Sequence, residues 1–285
     1  MVSTAPAIKK GRRDHFLPQS YLRGFIDPAR ESVPEPLWRL DIRHQTWRMR
    51  APKAVAWKEG FYDLAGDDPA LEEVESADEV FADLENEFDG MRSWLLKREF
   101  RNWHKHLGFL LRYMHMICVR SPLYFEQKKE QGKTLRAAVI RHIDPGGANL
   151  TAGEFAPLSE PQIKNWTLSN MRQDIRKNGD WLRIFTWAIR YCDSVDNPFV
   201  VSDQPLVIEG SGDVEDAAKD PASLLMFPLC WQACLFGSLV RFDKGTDKLG
   251  LQDMITMRKK YRSFASDFLL SPTKLEDITA PIVAG

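Results

Sequence analysis

The chain has 285 residues, 44% of them hydrophobic and 28% charged, with a formal net charge of −1. That is enough apolar material for one large core or two modest lobes; it excludes disorder as the default state and bulk charge as a guide to partners. No apolar run approaches the roughly 18 residues that cross a bilayer, and the polar start Met1 to Asp14 lacks the apolar segment of a secretion signal. Four cysteines make no disulfide framework, so a cytoplasmic protein with reduced, mostly buried thiols and no membrane partner is expected.

Residues 1–13 carry Lys9, Lys10, Arg12 and Arg13 without apolar periodicity and are expected to form a flexible basic arm. Pro18 opens a short helix to Phe25, with Tyr21, Leu22 and Phe25 on one buried face, ended by Asp27-Pro28. Leu37 to Arg43 and Thr46 to Arg50 alternate about His44-Gln45 and predict a hairpin. Its outward face would carry Arg39, Arg43, Arg48 and Arg50, with Leu40, Ile42, Trp47 or Met49 inward.

Phe81, Leu84, Phe88, Met91 and Leu95 recur at helical spacing within a long helix predicted over Pro69 to Leu96. Leu107, Leu110, Met114, Ile117 and Cys118 repeat the pattern over Asn102 to Glu126, so the two helices would pack as a pair, the second bent or restarted at Arg120-Ser121-Pro122. Charge agrees: residues 59–90 hold 13 acids and no base, whereas residues 92–142 hold 12 Lys or Arg against 3 acids.

Asp144 to Pro157 reads as a loop, and Ser159 with Gln162 as a capping box that starts a third long helix to about Asn178. Arg183 to Tyr191, Pro198 to Ser202, Leu206 to Ile208, Leu224 to Phe227 and Ala233 to Phe236 predict strands, with a polar loop over Gly210 to Pro221. A helix over Leu249 to Ser266 follows, then a strand at Phe268 to Leu270 and a loose tail over residues 271–285. The expected fold class is α+β: one domain over residues 14–270, with long central helices packed on a mixed or mostly antiparallel sheet. The C-terminal third mainly forms that sheet, and the early hairpin attaches to it.

Three short patterns stand out: His15-x-x-Pro18-x-x-Tyr21-Leu22-x-x-Phe25, then Arg120-Ser121-Pro122, then Ser202-Asp203-Gln-Pro205. Together they resemble the bacterial family known as domain of unknown function 4238, over roughly residues 14–270. The resemblance implies motif positions; the family name carries no reaction, so roles come from residue chemistry.

His15 can carry a proton, orient water or bind phosphate near neutral pH, or serve as a hydrogen-bonding residue before a helix. Asp203, at a strand end, has the chemistry of a base, a metal ligand or a partner for His15, while Ser202 and Asp203 before proline also suit ordinary Asx and ST turns. Arg120 suits a carboxylate or phosphate, with a buried pair to Glu85 as the structural alternative. Tyr21, Glu85 and Ser202 are the candidate binding residues around them.

No His-x-x-x-His or His-Glu-x-x-His spacing occurs, and Cys230-x-x-x-Cys234 lacks a second pair, so no structural zinc is expected; a Mg²⁺ or Mn²⁺ site through Asp203 and Glu85 stays open. There is no Gly-rich phosphate loop or Rossmann fingerprint, so no nucleotide cofactor is expected.

Two functions remain open. One is a hydrolase of nuclease or phosphodiesterase type, acting on a phosphoester or nucleic acid, with His15 as acid/base, Asp203 orienting it or a metal, and Arg120 stabilising developing charge. The other is a non-catalytic binding or interaction module in which His15 and Asp203 are structural clasps. Trp38, Trp47, Trp94, Trp103 and Tyr113 interleaved with cations suit a nucleic-acid or phosphorylated partner, or equally a core under a solvated face.

Overall fold

The computed structural model describes residues 13–65, 77–97, 102–143, 159–177, 179–210, 214–242 and 247–278. The arm before Arg13, the helical start Pro69 to Ser76, the loop Asp144 to Pro157 and residues 279–285 of the expected tail lie outside the described residues. The α+β class holds, but the strands divide among three antiparallel sheets rather than one.

The first sheet pairs β1 (Arg13–His15) with β4 (Trp57–Glu59). His15 is therefore in a strand, and so is Arg13, the expected end of the arm. The second sheet has the order β3 (Thr46–Arg50), β2 (Leu37–Asp41), β10 (Phe268–Ser271), β6 (Val201–Ser202). It joins the expected hairpin to both the Ser202-Asp203 motif and the last strand. The third has the order β5 (Thr186–Tyr191), β9 (Ala233–Ser238), β8 (Leu224–Cys230), β7 (Val207–Glu209).

Hairpin register sets Leu40 opposite Trp47 and Arg39 opposite Arg48, the alternation that the sequence predicts. The arginine face is only partly outward, however: Arg39 and Arg50 line a cavity above the sheet. Arg39 is held there by Asp41 at 3.3 Å and Asp267 at 3.2 Å, and it lies over the Phe268 ring.

Helix α1 (Gln19–Arg23) follows Pro18, and α2 (Ala77–Leu96) buries Phe81, Leu84, Phe88, Met91 and Leu95, the predicted stripe. In α3 (Leu107–Val119) nearly every residue from Leu110 onward is buried, because this helix is surrounded rather than laid on a surface. Pro122 restarts the chain as α4 (Pro122–Ile143), far longer than the predicted end at Glu126. Proline lacks the N–H that a helix interior needs but fits the first turn, so the junction splits one predicted helix into two.

The lysines of α4 turn to α5 (Glu160–Arg176): Lys128 meets Asp174 and Lys129 meets Glu160, both at 2.8 Å. The capping box of Ser159 and Gln162 starts α5 as expected. Gly179 ends that stretch in the left-handed region at φ 67°, and a Cβ there would sit 2.8 Å from the His115 Cβ. A four-residue helix, α6 (Val214–Ala217), lies within the predicted polar loop, and α7 (Leu251–Phe264) leads into β10.

Strand β8 explains why the N-terminal motif helix lies where it does. Its pairing with β7 covers only Leu224 to Met226, so the following residues have no strand on that edge. Side chains and backbone of α1 and α7 cap it instead. The Tyr21 hydroxyl donates to Pro228 O at 2.6 Å, the Tyr261 hydroxyl to Met226 O at 2.7 Å, and Trp231 N–H to Gly24 O at 2.9 Å. Gly24 permits this approach, since a Cβ would lie 3.1 Å from that of Cys230.

The Tyr21 ring stacks on Phe227 and meets Phe25 edge-on, while Phe88 stacks on Tyr113 with centroids 4.0 Å apart. One hydrophobic cluster runs from Phe16 to Ile278. The four thiols are free, and burial pushes those of Cys118 and Cys230 up to about 12, which leaves them unreactive. Tyr21→Phe keeps the ring but leaves a buried carbonyl without its donor. A loss of about 1–2 kcal/mol is expected in urea titration, and unchanged stability would mean that the hydroxyl contributes nothing.

Candidate functional site

Arg120 closes α3 two residues before the proline that starts α4, so the helix break aims its side chain into the N-terminal region. The residue is 4% exposed, and its three nitrogens reach three separate segments of the chain. Nη2 donates to the backbone oxygen of His15 at 2.6 Å, Nε to the Tyr62 hydroxyl at 3.3 Å, and Nη1 to Glu85 Oε1 on α2. The guanidinium also lies 4.0 Å over the Phe81 ring. Asp14 fastens the same segment by accepting the Tyr62 N–H at 3.0 Å.

The predicted Glu85–Arg120 pair is thus present, and the His15 backbone is part of it. A polar cleft of about 250 Å³ lies beside the cluster, lined by His15, Ser20, Glu85, Asn86, Asp89 and Arg120 among others. His15 Nε2 is buried there with no hydrogen-bond partner. Burial lowers its pKa below the ordinary value, with the Lys53 backbone and Glu85 pulling the other way. The imidazole is consequently neutral near pH 7.

Asp203 lies elsewhere. It follows β6 and turns its carboxylate onto the junction of α7 and β10, where Oδ1 accepts the N–H groups of Ser266, Asp267 and Phe268 at 3.1, 3.3 and 3.5 Å. Burial raises its pKa, and these backbone donors offset the shift in part. Asp203 lines a cavity of about 580 Å³ together with Phe16, Arg39, Arg50, Trp57 and Lys58, whereas His15, Glu85 and Arg120 line the other cleft.

The expected meeting of His15 and Asp203 does not occur, because adjacent side chains around residue 15 face opposite ways: Phe16 borders the Asp203 cavity and His15 the Arg120 cleft. Ser202 makes the predicted ST turn, its Oγ donating to Gln204 O at 2.6 Å and accepting Gln204 N–H at 3.1 Å. Tyr21 is wholly buried in the core and lines neither space.

Glu85 and Asp203, the residues considered for a divalent metal, therefore do not share a site. Among the described residues no group of three or more His, Cys, Asp or Glu side chains is placed to hold a metal ion, and no helix is long and apolar enough to cross a membrane.

Sequence reasoning missed Tyr62, Asp14, Lys58 and Arg258. Asp14 adjoins His15 and could have been flagged by position. The others acquire their roles only from non-local packing. Arg258, 4% exposed on α7, bonds Asp277 through Nε at 3.0 Å and Nη2 at 2.7 Å, and donates to Asn197 Oδ1, five residues before the Ser202-Asp203 pattern.

Fold and clasps together define an α+β protein in which buried arginines tie the N-terminal segment and the 197–205 segment, which carry two of the short sequence patterns, to distant elements. The chain belongs to the family described as "Protein of unknown function (DUF4238)", whose model matches residues 13–244. No curated protein and no solved structure matches it.

Proposed function

We propose that this chain is a non-catalytic binding module whose Arg120 and Asp203 are clasps rather than reacting groups. The observation that carries the reading is the separation of His15 and Arg120 from Asp203, with the latter two already engaged in internal hydrogen bonds. Acid–base hydrolysis with charge stabilisation needs those three groups around one reacting atom, within hydrogen-bond reach of it. The two spaces they border are the places for a ligand, and a phosphorylated small molecule or nucleic-acid component is the partner class that the cations Arg50 and Lys58 at the larger space suit.

The test compares Asp203→Ala with Asp203→Asn. Alanine leaves three N–H groups without their acceptor and is expected to cost about 1–3 kcal/mol, several degrees in melting temperature. Asparagine keeps an oxygen for those donors and is expected to melt close to the parent. Because the folded-state pKa of Asp203 is raised, ionisation costs the fold stability as pH rises through that value. The parent should therefore lose ground relative to Asp203→Asn as pH rises above the ordinary carboxylate value of about 4. Phosphoester hydrolysis by the parent that vanishes in Asp203→Asn, with melting unchanged, would overturn the proposal.

A further inference from the structure

We infer that the cavity between the second sheet, the β1–β4 pair and the start of α4 takes a nucleoside monophosphate whose base carries an amino group. The base edge is held by Asp203 and Gln204, and the phosphate by Arg50 and Lys58. The inference rests on the binding-module reading and names its ligand.

At about 580 Å³ the cavity has the size of a small-molecule site. One wall offers acceptors. Oδ1 of Asp203 is occupied by backbone N–H groups, while Oδ2 has no hydrogen bond among the described residues. The Gln204 amide nitrogen donates to Ser266 Oγ at 2.7 Å, which leaves its amide oxygen as a second acceptor. An amino group on a flat heterocycle matches such a wall, as exocyclic base amines pair with carboxylate or amide oxygens.

Two cations also border the cavity, Lys58 doing so from its boundary with the neighbouring cavity that Phe61 lines. Arg50 bonds only the Met49 carbonyl, at 3.0 Å, and Lys58 only lies 5.5 Å from the Phe61 ring; neither meets a carboxylate among the described residues. Arg39, between the two ends, is already neutralised by Asp41 and Asp267. Trp57 borders the space with the Arg13 guanidinium 4.4 Å over its ring, an aromatic surface on which a base can stack.

Sheet order sets the length of the ligand. Arg50 is on outer strand β3 and Asp203 directly follows outer strand β6, about 14 Å away across three strand spacings. The registers set Asp203 level with Thr46, four residues or about 13 Å along the strand from Arg50, so their backbones lie roughly 19 Å apart. Even after the reach of the arginine side chain, a free amino acid, whose two charges are neighbours, cannot engage both ends. A base, ribose and phosphate in series can. No Gly-rich loop is required, because the phosphate partner here is a pair of side chains rather than backbone N–H groups.

Calorimetry on the full chain with CMP, UMP, cytidine and inorganic phosphate tests this. CMP is expected to bind more tightly than cytidine, phosphate or UMP. Arg50→Gln should weaken CMP by about tenfold while leaving cytidine unchanged, the loss of one charge-assisted contact. Asp203→Asn, which presents an N–H where Oδ2 was, should reverse the preference of CMP over UMP. If Asp203→Asn does not fold, Lys58→Gln replaces it, with the same selective loss of CMP expected.

No binding by any of the four at millimolar concentration, or CMP binding indifferent to these substitutions, would overturn the site and leave the clasp reading standing. Release of phosphate from CMP that depends on Arg50 would overturn the non-catalytic reading and support the site.

Discussion

Arg120→Met is expected to destabilise the protein by about 3–5 kcal/mol, on the order of 10 °C in melting temperature. The side chain is 4% exposed and serves three partners at once, so a methionine of similar length leaves the His15 carbonyl and the Tyr62 hydroxyl short of a donor. It also leaves Glu85 facing a low-dielectric wall without its cation. The glutamate keeps a partial route to water, its side chain being 28% exposed, which places Glu85→Gln well below Arg120→Met in cost.

The double variant separates these contributions. If the ion pair dominates, Arg120→Met combined with Glu85→Gln should recover part of the single loss, because no uncompensated carboxylate remains. If the bonds to His15 and Tyr62 dominate, the double variant should melt near Arg120→Met. A single Arg120→Met that melts within about 2 °C of the parent, a cost under about 1 kcal/mol, would show that the cluster does not hold the N-terminal segment.

What could be read in the sequence follows the range of the forces involved. Helix faces depend on residues three or four apart, so the buried stripe of α2 and the capping box of α5 were both legible. Hairpin register was legible for the same reason. The division into three sheets was not, since β10 pairs with β2 across more than 200 residues and no local signal encodes that choice.

Strand β1 was missed because three residues show no usable alternation, and that omission displaced His15 from its true setting. His15 ends that strand on the Arg120 cleft while Phe16, the next residue, borders the Asp203 cavity, and the idea that His15 looks toward Asp203 fails on that divergence. The Glu85–Arg120 pair, in contrast, was inferred correctly from an acid bordering an apolar stripe and an arginine fixed beside a proline.

The second large effect is expected at Arg258, in a part of the chain where composition suggested only a helix and a loose tail. Its guanidinium joins α7 to Asp277 by two bonds and to Asn197 Oδ1 by a third. Leu275 and Ile278, on either side of Asp277 in sequence, are buried, so the segment after β10 is docked and not loose as far as residue 278. Arg258→Met should cost about 3–5 kcal/mol, since it strands the Asp277 carboxylate and frees the turn at Asn197-Pro198.

Asp277→Asn should cost less, because the amide oxygen still accepts from the guanidinium while the charge attraction is lost. Hydrogen exchange distinguishes a local clasp from a general loss of stability. With Arg258→Met, amides around residues 197–199 and 274–278 should lose protection before those of β8 and β9, whose ladder the arginine does not touch. Simultaneous loss across all three regions would mean that these segments open only with global unfolding and that Arg258 is a core residue of the whole fold rather than the tie of one edge.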